Sequence, residues 1–272
     1  IAHGKYRTTD THNYGVLDTT GVIRKSSNIG AALIARRLSD AQFDAFLRRF
    51  GYGRVTGSGF PGEAAGLFPT PDRWSGTTKQ TMSYGYGLNA TPLQIATAYA
   101  ALGNGGLLHQ PSFVKGQHAT PRQVLDPKIA AEVLRMMQTV TEPGGTATQA
   151  AILGYHVAGK TGTSRKASAG GYSRRYIGYF AGLVPVDKPR FSMVVAVNDP
   201  TKGSYYGGIV SAPVFRNVME GALRMMDVAP DNLDAWLAAQ AEAEARRLKA
   251  SGHALPADAT AAVPAPAARA VQ

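Results

Sequence analysis

Apolar positions return at roughly helical spacing in several stretches, each with its own start and stop signals. Asp18-Thr19-Thr20 supplies cap residues for a helix through Val22, Ile23 and Lys25. A second helix follows Ser26-Ser27-Asn28, carrying Ile29, Leu33, Ile34 and Leu38. A third runs from about Asp40 to Phe50, with Phe43, Phe46, Leu47 and Phe50 on one face, and stops at Gly51. Thr91-Pro92, a cap followed by proline in the first helical position, begins a helix through Ile95, Ala98, Tyr99 and Leu102. Gly103-Asn104-Gly105-Gly106 ends it. Asp126-Pro127 opens another through Ile129, Val133, Leu134 and Met137, and Ser211 with Pro213 opens one through Val214, Val218 and Leu223.

Strand patterns are shorter. "SFVKG" (112–116) reads as a short strand. Three more are predicted over about 154–162, 175–184 and 190–198, spaced as an antiparallel meander. Residues 51–90, rich in Gly, Pro, Ser and Thr, read as one long ordered loop, and loops of that length are usually functional. After Pro230 the character changes: 235–249 read as an exposed Ala/Glu/Arg helix and 250–272 as a disordered Ala/Pro-rich tail. The expected fold class is α+β, a helical group followed by an antiparallel sheet with a packed helix. Chemistry is expected where the two parts meet.

The 272 residues suffice for a sizeable core, and 44% hydrophobic with 17% charged residues fits a globular chain. The longest apolar stretches, such as Met193–Val197, are strand-sized, so none reads as a membrane span. The opening "IAHGKYRTTDTHNYG" carries no cap, leader or charged arm and reads as a cut end. Without cysteine there are neither disulfides nor thiolate metal sites. The net charge of +11 is spread over separate pairs, Arg36-Arg37, Arg48-Arg49, Arg174-Arg175 and Arg246-Arg247. None forms a basic run interleaved with aromatics, so nucleic acid is not an expected partner. Anionic lipid, anionic polymer and carboxylate substrates suit such a surface equally well.

Several chemistries drop out. His3, His12, His109, His118, His156 and His253 show no ligand spacing, and there is no H-E-x-x-H, so no metal is expected. Ser58 in "GSGFPG" misses the G-x-S-x-G elbow, and "GYGRVTGSGFPG" matches no phosphate loop. No cofactor is expected.

Two motifs remain. Lys160-Thr161-Gly162, followed by Thr163, puts a cation between hydroxyls on a predicted strand, with a glycine that permits close approach to the backbone. That suits a carboxylate and an oxyanion, although charge guarding an exposed edge would look similar. Ser26-x-Asn28 lies between two helices, where serine and asparagine also serve as caps. Their order and context lift them: S-x-N precedes K-T-G, and "MSYGYG" lies in the loop between.

With "HNYGVLDTTGVIRKSSNIGAALIA", "GFPGEAAG", "MSYGYGLNATPLQIATAYAALGNGG", "VAGKTGTSRKA", "YFAGLVP" and "YYGGIVSAPVF" in this order, the chain resembles the penicillin-binding proteins and serine β-lactamases. It looks most like a division-type class B penicillin-binding protein, over residues 8–227. The resemblance implies the transpeptidase fold, an antiparallel sheet with flanking helices and a helical subdomain, with residues 1–230 as the C-terminal portion of that domain. It also implies a D,D-transpeptidase: an activated serine attacks a D-alanyl-D-alanine stem peptide, and a neighbouring strand's amine resolves the acyl-enzyme. Ser26 would relay a proton to the leaving amine. Asn28 would hold the catalytic lysine and the acyl amide, and Lys160 would orient Ser26. Thr161 and Thr163 would take the substrate carboxylate beside Gly162, the Thr163 N–H would form half an oxyanion hole, and Arg165 would add charge. Tyr84, Tyr86, Tyr179, Tyr205 and Tyr206 would wall the cleft, although ordinary half-buried aromatics would look the same in sequence.

One element of the family pattern is out of place. The family's S-x-x-K, which supplies nucleophile and base, comes before S-x-N, yet residues 1–25 contain no serine. The S-x-x-K at Ser112–Lys115 follows S-x-N and lies on a predicted strand, where lysine would not stand one helical turn from serine. It reads as a decoy, so no nucleophile is assigned in this chain, and the chain reads as the C-terminal part of a transpeptidase domain, inactive alone. A non-catalytic module holding D-Ala-D-Ala stem peptides or division proteins remains the alternative. The implied partners are stem peptides, β-lactams and division-machinery membrane proteins, and the implied location is the periplasmic face of the inner membrane.

Overall fold

The computed structural model describes residues 2–3, 6–117, 119–168 and 171–250. Two short strands, β1 (Ala2–His3) and β2 (Tyr6–Arg7), pair antiparallel ahead of the helical part. Helices α1 (Thr19–Lys25), α2 (Asn28–Ala35) and α3 (Asp40–Arg49) each start on a side-chain cap: Asp18 accepts from Gly21 N–H, Ser27 from Gly30 N–H, and Ser39 with Gln42 closes a capping box.

The predicted loop over 51–90 is more structured than its composition suggests. It contains a 3₁₀ turn at Pro71–Arg73 and a short helix, α4 (Thr78–Met82), and its limbs meet in a bridge between Leu67 and Asn89. One buried amide explains much of this order. Gln94, on the first turn of α5 (Pro92–Gly103), donates through Nε2 to Arg54 O at 2.7 Å and Ala65 O at 2.8 Å, while its Oε1 accepts from Thr91 N at 2.8 Å. Two carbonyls of the polar segment and the N–H of the Thr91 cap thereby find partners inside the protein.

Strands β3 (Leu107–Leu108) and β4 (Arg122–Gln123) pair beyond α5, and α6 (Pro127–Gln138) follows its Asp126 cap. The strand expected at 112–116 is a bend and turn instead. Ser112 Oγ accepts from Val114 N at 3.0 Å, a local bond that curls the backbone between Pro111 and Gly116.

The meander is present as β5 (Ala158–Ser168), β6 (Gly171–Val184) and β7 (Phe191–Asn198), in spatial order β5-β6-β7. The first strand starts later than predicted because Gly154 adopts φ 82° and residues 154–156 bond to the C-terminal segment. It also runs on through Ser168, since pairing with β6 carries a polar sequence that alternation alone does not mark as strand.

Each face of the sheet has its own cover. Helix α8 (Ala212–Met225), reached through the short α7 (Gly207–Val210), lays Phe215, Met219 and Leu223 against Phe180 and Val184. The Phe180 and Phe215 rings meet edge to face, 4.9 Å between centroids. On the opposite face Ala158 and Leu183 pack with Leu134 and Met137 of α6, joined by Tyr99 and Leu102 of α5.

The exposed helix predicted at 235–249 is α9 (Leu233–Ala250), and its approach is anchored. The Asp231 carboxylate accepts from the backbone N–H groups of His156, Val186 and Asp187 at 2.7, 3.0 and 3.2 Å. Trp236 lies against Gly154, where a Cβ would come within 2.8 Å of its ring. The Ala/Pro-rich tail expected at 250–272 lies outside the described residues beyond Ala250.

Phe180 is fully buried between the sheet and α8. Phe180→Ala is expected to destabilise the chain by about 3–5 kcal/mol in urea-unfolding measurements, with the slope of the transition unchanged.

Candidate active site

Helix α1 ends at Ser26, which takes the left-handed conformation (φ 56°, ψ 45°) while its N–H bonds back to the carbonyls of Val22 and Ile23. Glycine or asparagine is the usual choice for that backbone. A serine there places a hydroxyl at the junction at some conformational cost. The capping role falls to its neighbour. Buried Ser27 accepts from Gly30 N–H and donates to Asp10 at 2.6 Å, and the second Asp10 oxygen accepts from Ile29 N–H at 3.1 Å. Ser26 Oγ is therefore not spent on capping α2.

Lys160 reaches that hydroxyl. Its Nζ donates to Ser26 Oγ at 2.6 Å and to Thr161 O at 3.1 Å. The residue keeps some solvent contact, but protein atoms crowd the ammonium. Desolvation lowers its pKa from the ordinary 10.5 to about 8.

The geometry of β5 separates the functions of neighbouring residues. Lys160 shares a face with Ala158 and Gly162, toward α5 and α6, whereas Thr161 and Thr163 point to the α7 side. Among the described residues strand β5 has only β6 as a strand neighbour, so its other edge carries no strand. The Thr161 carbonyl meets Lys160 Nζ on that edge, and Thr163, two residues on, offers its backbone N–H to the same side. The edge thus has a backbone donor flanked by a lysine on one face and hydroxyls on the other.

Both hydroxyls are positioned. Thr161 Oγ1 lies 3.0 Å from Thr146 Oγ1, and Thr163 Oγ1 accepts from Gly207 N–H at 3.2 Å. A hydroxyl that accepts one hydrogen bond can still donate another, so Thr163 retains its proton for a carboxylate, and Thr161 does so when Thr146 is the donor of the pair. Two glycines make the arrangement fit: a Cβ on Gly207 would fall 2.0 Å from Tyr179 O, and one on Gly208 would fall 2.1 Å from Thr146 O. Helix α1 holds the remaining wall. Arg24 donates to Pro143 O, and Lys25 Nζ donates to Gly144 O at 2.9 Å, fixing the turn that carries Thr146.

Aromatic rings continue the site toward the β5–β6 turn. Tyr176 stacks on Tyr205 at 4.0 Å, and Tyr205 meets Tyr206 at 4.6 Å. Tyr84, Tyr86 and Tyr172 form a chain of edge contacts at 6.1 and 5.6 Å. Exposed Arg165 shares the Thr161/Thr163 face, donates to Tyr176 OH at 3.3 Å and lies within electrostatic reach of Tyr86. Tyr179 stands apart from this group, on the Lys160 face beside Gly162.

The structure thus gathers Ser26, Lys160, Thr161, Gly162, Thr163 and Arg165, with Tyr84, Tyr86, Tyr205 and Tyr206 alongside. Asn28 occupies the first turn of α2, where Nδ2 donates to Thr9 O at 3.4 Å rather than to Lys160. Ser112 is engaged with Val114 and Gln117, away from this cluster. Thr146, Tyr172, Tyr176 and Gly207 were not legible as site residues. Thr146 lies outside both motifs, on a turn brought to β5 only by the fold, and the tyrosines look like ordinary strand aromatics.

One grouping departs from the scattered histidine pattern. His156, Asp187 and Asp231 bring potential ligand atoms within 4.8 Å of one another. Both Asp231 oxygens already accept backbone N–H bonds, which gives the group a structural role at the start of α9.

Residues 2–220 match the family described as "Penicillin binding protein transpeptidase domain". The chain is 44% identical over 226 residues to the peptidoglycan D,D-transpeptidase FtsI of Escherichia coli K12, covering 82% of this chain and 38% of that protein. It is 41% identical over 224 residues to the probable peptidoglycan D,D-transpeptidase PenA of Neisseria meningitidis, with 81% and 38% covered. The chain therefore spans well under half the length of these curated relatives. Among solved structures it resembles the apo transpeptidase domain of Burkholderia pseudomallei penicillin-binding protein 3, with a TM-score of 0.77, 38% identity, and 82% and 69% of the two chains covered. The chain belongs to the penicillin-binding protein transpeptidase domain family.

Proposed function

We propose that this chain forms the proton-relay and carboxylate-binding part of a peptidoglycan D,D-transpeptidase that cross-links stem peptides through a serine acyl-enzyme during septal wall synthesis and is inhibited by β-lactams. The observation that carries this reading is the 2.6 Å contact between Lys160 Nζ and Ser26 Oγ beside the free edge of β5. A pKa near 8 makes the ammonium a proton donor whose conjugate amine is also accessible near neutral pH. The Lys160 ammonium donates to Ser26 Oγ, leaving the Ser26 hydroxyl hydrogen directed at the departing amine. As that amine leaves it takes the Ser26 proton, and Ser26 is replenished from Lys160. Thr161 and Thr163 hydrogen-bond the terminal carboxylate of the peptide, with Arg165 two residues further along the same face. The Thr163 N–H faces the developing oxyanion, where one such donor is typically worth about 2.7–4 kcal/mol.

The attacking serine is not among the residues gathered here, and Ser112 is held in a turn of its own. This chain therefore supplies relay and recognition without forming the acyl-enzyme. Among the described residues no helix is long and apolar enough to cross a membrane. The periplasmic face of the inner membrane, and contact with division-machinery membrane proteins, are proposed from the family resemblance alone. Residues 1–230 are assigned to the transpeptidase domain, and the segment from 231 is assigned as an appendage docked through Asp231.

Intact-mass spectrometry after incubation with benzylpenicillin is expected to show an unmodified chain. An adduct at Ser26 or Ser112 would overturn the assignment. A peptide ending in D-alanyl-D-alanine is expected to bind without turnover. Thr163→Val should weaken that binding roughly tenfold by removing a charge-assisted donor. Affinity should fall as pH rises through about 8, because Lys160 loses its proton there and the site loses positive charge. A flat calorimetric profile between pH 7 and 9 would contradict this.

A further inference from the structure

The β5–β6 hairpin does not end at the cleft. Register pairs Arg165 with Tyr176 and then Ala167 with Tyr172. One residue of β5, Lys166, is thereby opposed by three of β6: Ser173, Arg174 and Arg175. This is a bulge, a feature that re-aims side chains near active sites. Ser173 closes it, donating through Oγ to Lys166 O at 3.1 Å and accepting from Arg175 N at 3.2 Å. The arginine pair is consequently pushed outward. Arg175 pairs with Asp199 at 2.6 Å, and Lys166 donates to Asn198 at 2.9 Å. Arg174 is exposed and forms no ion pair among the described residues. Lys202, also exposed, stands on a loop that begins beside Tyr176, through the Asp199 N–H, and returns to it through the Tyr205 ring. This end of the β5–β6 pairing is therefore basic: it carries Arg165, Lys166, Arg174 and Arg175, with Lys202 on the adjoining loop, and Asp199 is ion-paired to Arg175.

The chemistry proposed above gives this patch a direction, and the inference rests on that reading. Aminolysis is acylation run backwards with a different amine: the new N–C bond forms as the serine ester C–O bond breaks, and the amine proton returns to the serine oxygen. The incoming amine must take the place the leaving amine vacated. Its peptide therefore extends past Thr161, Thr163 and Arg165, on the side where the hairpin continues. We infer that the bulged hairpin tip is the docking surface for the acceptor, an acidic peptide whose free carboxylates are held by Arg174 and Lys202 while Lys166 and Arg175 stay tied to β7 and its following residue.

Calorimetry of the full 272-residue chain with N-acetyl-tetraglutamate tests this, with tetraglutamine as the neutral probe. Tetraglutamate should bind and tetraglutamine should not. Arg174→Gln with Lys202→Gln should weaken tetraglutamate binding about tenfold, whereas Arg135→Gln, which removes one exposed charge on α6, should change it less than twofold. D-alanyl-D-alanine should neither displace tetraglutamate nor lose affinity in the double variant, so failure of the cleft and failure of the tip are read separately. Equal binding of tetraglutamine, an unaffected double variant, or an equal loss in Arg135→Gln would overturn the inference. Tighter binding of the same tip to phosphatidylglycerol vesicles than to tetraglutamate would also overturn it, in favour of a membrane surface.

Discussion

The contact between Lys160 and Ser26 joins the helical part to the sheet, and the proposed chemistry depends on it. One partner stands on the edge strand of the sheet and the other at the break between two helices, brought together across 134 residues of sequence. Each position carries a cost. Ser26 sits in a left-handed backbone that favours glycine, and Lys160 carries its ammonium into a crowded, desolvated corner. Such strain persists only where surrounding structure over-determines it. Here the surroundings are Asp10 holding the Ser27 cap, and Arg24 and Lys25 holding the 143–146 turn.

An edge strand is otherwise a liability, because its unpaired backbone invites another strand. In β5 the proposed function turns the same exposure into a recognition surface. Alternation sends Lys160 to one face and the two threonines to the other, while the backbone groups of Thr161 and Thr163 face outward between them. Gly207 and Gly208 allow α7 to press against the strand closely enough for a main-chain N–H to orient Thr163.

Much of this was legible in sequence, and for identifiable reasons. The caps at Asp18, Thr91 and Asp126 are local, so the helices they start could be placed within a residue or two. The meander followed from apolar runs in β6 and β7. What failed was non-local. The 51–90 segment reads as loop because its order comes from Gln94, a buried amide on another element. "SFVKG" has strand composition, but its serine satisfies its own backbone. The K-T-G and S-x-N motifs gave Lys160 and Ser26, yet neither could reveal that Thr146 completes the threonine pair or that Tyr179 lies on the far face from Tyr176 and Tyr205.

The state of the Lys160 ammonium is the point on which the account turns, and heteronuclear NMR of its Nζ and Cε through a pH titration measures it directly. A midpoint near 8, with the Lys160 signals also perturbed in Ser26→Ala, is the predicted result. A midpoint at the ordinary 10.5, insensitive to Ser26, would mean that the ammonium is solvated and free of the hydroxyl, and the relay would have no basis.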